Sequence, residues 1–300
     1  MDFELSSEAR ELSGLTRDLA ESGRPLWPAL AEAGVLAAAL PKRAGGEGYG
    51  LIEQCAVLVE LGRHAAAVPY LPSIVAAAST IAEFGTAEQV EKWAAPAGRG
   101  ELVLTVAGPA STPAAADAAL VLIPAADSVT LQRPRSRLPQ EVSGSPGAGQ
   151  IDGSPEGTLP GGGPLRRRLT IGAAAMQLGI AERALELTAA YARERVQFER
   201  PIGSFQAVSQ RLADAWIDVE ALRLALWQAA CRPEPAETAT AGFWATETGH
   251  RVLHTAVHVH GGVGIDLDYP LHRYFLAAEH HEFLLGGATA HLLDLAEVLP

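Results

Sequence analysis

Apolar residues recur at steps of three and four through most of this chain, and strand-like runs are confined to its middle. In 205–231, Leu212, Trp216, Val219, Leu222 and Leu226 lay an apolar stripe along one helix face. Thr248, Val252, Thr255 and Val259 repeat that spacing in 236–260, which follows Pro233 and Pro235. Residues 169–195 form a long alanine-rich segment, and 271–298 is interrupted by Gly286-Gly287. Four long helices with short connections predict an antiparallel four-helix bundle over 169–300.

The first hundred residues also read as helical. Ser6-Ser7-Glu8 opens a helix with Ser7 as its N-cap, and Trp27, Leu30 and Ala31 continue the pattern to Gly34. Pro41, Gly45, Gly46, Gly48 and Gly50 enforce a loop. A helix over 53–62 then carries Val57, Leu58 and Leu61 on one side, another spans 74–84, and Thr86 caps a short one carrying Trp93. The middle differs. Short β-branched runs lie at 101–107, 119–123 and 129–131. Residues 141–164, EVSGSPGAGQIDGSPEGTLPGGGP, carry too little apolar surface to fold alone and read as a mobile loop. The predicted fold is mainly α with a small β region: an N-terminal helical domain (1–100), a reduced middle β domain (101–168) and the bundle.

Composition narrows the function. Apolar residues make up 48% and charged residues 19%, as in a soluble globular protein with a real core. The net charge is −12 and the one basic block is Arg166-Arg167-Arg168, which argues against nucleic acid. The opening MDFELSSEARELSG is acidic and polar, unlike a secretory leader. No run of about 18 apolar residues suggests a membrane span. Cys55 and Cys231 read as buried thiols of a cytoplasmic protein rather than a disulfide or metal pair.

Residues 247–273, ETGHRVLHTAVHVHGGVGIDLDYPLHR, read as a helix, a Gly-rich corner and a second helix with Arg273 near its start. Gly261-Gly262 ends the first helix and exposes bare backbone to a neighbour or ligand. Asp268-Tyr269-Pro270 forms a turn. Glu247-Thr-Gly-His250 has the E-x-x-H spacing of di-iron bundles, and His250, His254 and His258 share a face. Such bundles need two of these motifs and further inward glutamates. The chain has one, so no metal is predicted and the histidine row is assigned to an interhelix or intersubunit contact.

Three stretches carry a family resemblance. Arg195-Val-Gln-Phe198-Glu-Arg-Pro201-Ile202-Gly-Ser-Phe205-Gln206 resembles the acyl-CoA dehydrogenase pattern R-x-x-F-G-x-P-I-x-x-F-Q. His260-Gly-Gly-Val-Gly264, followed by Asp268-Tyr-Pro270 and Arg273, resembles that family's H-G-G-x-G…Y-P-x-x-R corner. LAEAGVLAAALPKRAGGEGYG (30–50) is similar to its N-terminal helical domain. The short chain is similar to subunits of the heteromeric (α2β2) enzymes of actinobacterial steroid side-chain degradation. The resemblance implies an FAD cofactor, an acyl-CoA substrate, a second acyl-CoA dehydrogenase-like subunit in a heterotetramer, and electron-transfer flavoprotein as acceptor.

It also implies site residues. Arg195 would hold the FAD pyrophosphate, Phe198 pack on the cofactor and Gln206 hydrogen-bond it. Gly261 and Gly262 would admit its adenosine end, and His258 stands where the family has glutamine. The family's base is a glutamate in a dry pocket, where burial raises its pKa. At its commoner position this chain has Leu285-Gly286-Gly287-Ala288, with Gly286 in the glutamate's place. Its other position lies fourteen residues before the Gly-Gly corner, and Glu247 stands there. Glu247 is therefore the expected base, with Glu282 as rival. The strand that holds the flavin ring in the family matches 104–112, without its acidic residues. The alternative is a non-catalytic subunit that completes a partner's flavin site.

Overall fold

The computed structural model describes residues 5–108, 111–142 and 145–299. Its N-terminal helices are α1 (Ser7–Glu21), α2 (Leu26–Glu32), α3 (Val35–Ala38), α4 (Leu51–Arg63), α5 (Ser79–Phe84), α6 (Ala87–Gln89) and α7 (Ala95–Gly98). Wider-wound turns, Tyr70–Ala78 and Val90–Ala94, lead into α5 and α7. The α1 cap is Ser6 and not Ser7: Ser6 is still extended, and its Oγ accepts from Ala9 N at 3.0 Å. Thr86 and Gln89 form the reciprocal capping box of α6. In α4, Val57, Leu58 and Leu61 are buried, as their spacing predicts.

Four strands follow: β1 (Val103–Val106), β2 (Ala118–Pro124), β3 (Ser128–Pro139) and β4 (Gly149–Pro160). They form one sheet in chain order, with β1 and β2 parallel and the other pairs antiparallel. Leu122 faces Leu131 and Val129 faces Leu159, all four buried. The expected mobile loop over 141–164 is thus corrected, since β4 occupies half of it. Leu159 is the only large apolar side chain that β4 buries; its backbone ladder with β3 holds it instead. Pro155, Gly153 and Gly157 are tolerated because β4 is the sheet's outer strand. Composition counts side chains and misses that pairing.

The C-terminal part contains α8 (Gly162–Glu194), α9 (Gln206–Cys231), α10 (Pro235–His260), α11 (Leu271–Leu285) and α12 (Ala288–Val298). A small hairpin of β5 (Val196–Gln197) and β6 (Arg200–Pro201) joins α8 to α9. Helix α8 begins at Gly162, earlier than 169. A side chain at Gly162 would strike the carbonyl oxygens of Ala125, Ala126 and Ser128, so glycine lets the helix start against the β2–β3 turn. Pro164, in the first turn, has no N–H to leave unbonded. From Ile171 to Ala181 α8 is buried on every side, packed between α4 and α10. Gly286, with φ of +81°, separates α11 from α12. Both cysteines are free; Cys55 is buried as expected, whereas Cys231 is exposed. Among the described residues no helix is long and apolar enough to cross a membrane.

Candidate functional site

The ends of α8 and α10 and the start of α9 meet at one end of the bundle. His260, the last residue of α10, is buried and stacks on Tyr191 of α8 with ring centroids 4.3 Å apart. Its Nδ1 lies 2.8 Å from Ala256 O and its Nε2 3.0 Å from Tyr269 Oη, which ties the Gly-rich corner to both helices. Burial pushes the His260 pKa down, so the ring is neutral at pH 7.

Around this buried knot the expected cofactor residues are exposed. Arg195 caps the C-terminus of α8; its carbonyl accepts from Ile202 N at 2.8 Å, and its guanidinium makes no ion pair among the described residues. Phe198 stands at the hairpin turn with 87% of its surface exposed and its edge toward Phe205. Gln206 is the first residue of α9, and His258 lies on the exposed face of α10. Nothing lies within 4 Å of where a Cβ would sit on Gly261 or Gly262. A free guanidinium, an unstacked aromatic ring and bare glycine backbone together suit a ligand with phosphates and a flat ring. That surface is open on its outer side.

Glu247 sits elsewhere. It is half-exposed on α10, with Oε2 3.6 Å from Arg251 Nη1 one turn on. Arg251 in turn clasps the buried Asp218 of α9, with Nε donating at 2.9 Å, and Thr248 Oγ1 donates to the Asp218 carbonyl at 3.0 Å. Glu247 therefore belongs to an ion-pair cluster joining α9 to α10. Glu282 lies on α11 with Oε2 3.4 Å from His250 Nδ1.

The enclosed space lies on the other side of α8. A cavity of about 380 Å³ is bounded by Leu71, Val106, Met176 and Leu285, with His280 and His281 among its lining residues. Both histidines are more than nine-tenths buried and the Nδ1 of each has no partner among the described residues. Burial pushes their pKa values to about 4 for His280 and about 3 for His281, so both are neutral at pH 7. Among the described residues Asp117 is the one acidic residue lining the cavity, and neither Glu247 nor Glu282 lines it. Residues 104–106, part of the expected flavin strand, are in β1, while 109–110 lie outside the described residues. Sequence reading missed the His280-His281 pair and the Asp218–Arg251 clasp. The pair's only signal was its place between Ala277-Ala278 and Phe283-Leu284-Leu285 on one helix.

Residues 5–101 match the family described as acyl-CoA dehydrogenase, N-terminal domain, and residues 167–299 its C-terminal domain. The chain is 42% identical over 371 aligned positions to acyl-CoA dehydrogenase FadE27 of Mycobacterium tuberculosis, covering 100% of this chain and 99% of the relative. That alignment is longer than the 300 residues here, so the relative carries residues this chain lacks. The crystal structure of the ChsE4-ChsE5 complex from Mycobacterium tuberculosis superposes with a TM-score of 0.94 at 39% identity, covering 100% of both chains. A variant of the Tcur3481-Tcur3483 steroid ACAD superposes with a TM-score of 0.88 at 37% identity, covering 97% of each chain. Matched over both helical regions and aligned from end to end with such a protein, the chain belongs to the acyl-CoA dehydrogenase family.

Proposed function

We propose that this chain is the cofactor-completing subunit of a heteromeric FAD-dependent acyl-CoA dehydrogenase. The complex would convert a saturated acyl-CoA with a bulky, steroid-like acyl group to its 2-enoyl-CoA and pass electrons to an electron-transfer flavoprotein. One contrast supports the reading: Arg195, Phe198, Gln206 and the Gly261-Gly262 backbone are open at the bundle end, while among the described residues no glutamate lines the cavity beside α8. The similar ChsE4-ChsE5 structure is a complex of two proteins, and the Tcur3481-Tcur3483 structure is described as a steroid ACAD, which supports the partner and the substrate class.

When bound, FAD supplies the acceptor for the hydride leaving Cβ of the acyl chain. This chain's residues would bind and orient it. The Arg195 fork would neutralise paired phosphate oxygens, Phe198 would pack on the cofactor and Gln206 would supply a side-chain amide. Gly261 and Gly262 would admit the adenosine end, and His258 would stand on the same exposed side of α10. The Tyr191–His260 stack keeps these elements in register and adds no charge. The proton leaving Cα goes to a carboxylate in a dry pocket. Glu247 is held by Arg251 in a half-exposed cluster, so the reading gives that role to the partner subunit.

Glu247→Gln in the purified two-subunit complex decides the base. Retained turnover, within about threefold, supports the partner's carboxylate. A fall of about 10³-fold or more with flavin content unchanged would return the base to Glu247 and make this chain catalytic.

A further inference from the structure

Helices α10 and α11 run side by side and bring four metal-type donors together. His250 and His254 lie one turn apart on α10, with ring centroids 4.3 Å apart. Opposite them on α11 stand Glu279 and Glu282. One ring nitrogen from each histidine and one Glu279 oxygen all lie within 4.8 Å of one another. His254 Nε2 is 3.7 Å from Glu279 Oε1, and His250 Nδ1 is 3.4 Å from Glu282 Oε2.

These separations are long for hydrogen bonds. They are close to the roughly 3.4 Å between donors sharing one ion at about 2.1 Å. Neither histidine ring makes a hydrogen bond among the described residues. Glu282 Oε2 is shielded from solvent with no hydrogen-bond partner among the described residues. Two imidazoles with a carboxylate match the donors of zinc-class cations, whereas magnesium and calcium favour all-oxygen shells. Spacing of four residues puts both imidazoles on one helix face, and the exposed side chains of His250, His254 and Glu279 have room to close on an ion.

We propose that His250, His254 and Glu279 bind a zinc-class divalent cation, with Glu282 beside His250 as a further donor, clamping α10 to α11. The proposal is independent of the flavin reading. The full chain, stripped with a chelator, is titrated with ZnCl2 by calorimetry and with CoCl2 by visible absorption. The expected result is one zinc per chain and cobalt d–d bands. His254→Ala and Glu279→Gln each weaken zinc by about tenfold or more and remove the bands, while His64→Ala, a histidine paired with Glu21 elsewhere, leaves both unchanged. Circular dichroism verifies that the variants are folded. Absence of saturable zinc binding at micromolar concentrations, or equal zinc affinity in wild type and both α10–α11 variants, overturns the proposal.

Discussion

Phe198 and Glu199 turn the β5–β6 hairpin with φ of +52° and +64°, a region that costs a non-glycine residue about 1 kcal/mol or more. The family pattern has glycine where Glu199 stands. Glu199→Gly is expected to stabilise the chain by about 0.5–1 kcal/mol, less than the full strain because glycine also loosens the unfolded chain. A thermal melt checks this as a rise of about 2 °C. His280 and His281 make a second residue-scale case. Their folded pKa values, about 4 and about 3, lie below the ordinary histidine value, so the unfolded chain binds protons more readily as pH falls through that value. Stability contributed by the neutral rings is full above that range and is lost on acidification. At pH 5 the loss is about 2 kcal/mol per histidine. His281→Leu removes one such group and an unpartnered buried nitrogen, so denaturant melts should show a higher midpoint at pH 7 and a shallower fall toward pH 5.

At the scale of elements, α8 is the axis on which both helical regions close. A Cβ on Gly179 would strike Val59 O and the Arg63 backbone amide of α4, so the two helices meet backbone to backbone there. Rigid backbone cannot yield as a flexible side chain would. Gly179→Ala is therefore expected to cost about 2 kcal/mol or more, read as a lower urea midpoint with unchanged slope. Across the same junction Arg63 bridges Glu182 and Glu186 of α8, each at 2.8 Å, and Tyr274 Oη of α11 donates to the Arg63 carbonyl at 2.8 Å. The Gly179 backbone contact and the Arg63 bridges together set the spacing of the N-terminal helices, α8 and α11. The cavity that holds His280 and His281 lies between those same layers.

At the scale of the whole molecule, the flavin reading makes an expectation about assembly. The chain purified alone should show no flavin absorption, and the chain co-purified with its partner subunit should show it. Arg195→Ala in the complex should then lose most of the bound flavin, because one fork to paired phosphates carries about 1.5–3 kcal/mol per charged hydrogen bond. Full flavin content in the isolated chain would replace the shared site with a homomeric one.

The sequence by itself determined where most of the helices lie, though not every end, because periodicity and capping are local properties of side chains. Leu212, Trp216, Val219, Leu222 and Leu226 marked α9, and Thr86 marked the start of α6. It also placed the proposed cofactor residues Arg195, Phe198, Gln206, His258, Gly261 and Gly262 in two short motifs. The tertiary structure alone decided the rest. β4 is held by a ladder to β3 that its Gly- and Pro-rich composition does not encode. Arg251, one turn on from Glu247, is turned to Asp218 by the approach of α9, and His250 and His254 meet Glu279 only because α11 folds back along α10. Contacts between residues distant in the chain depend on how elements pack, and no local pattern records that.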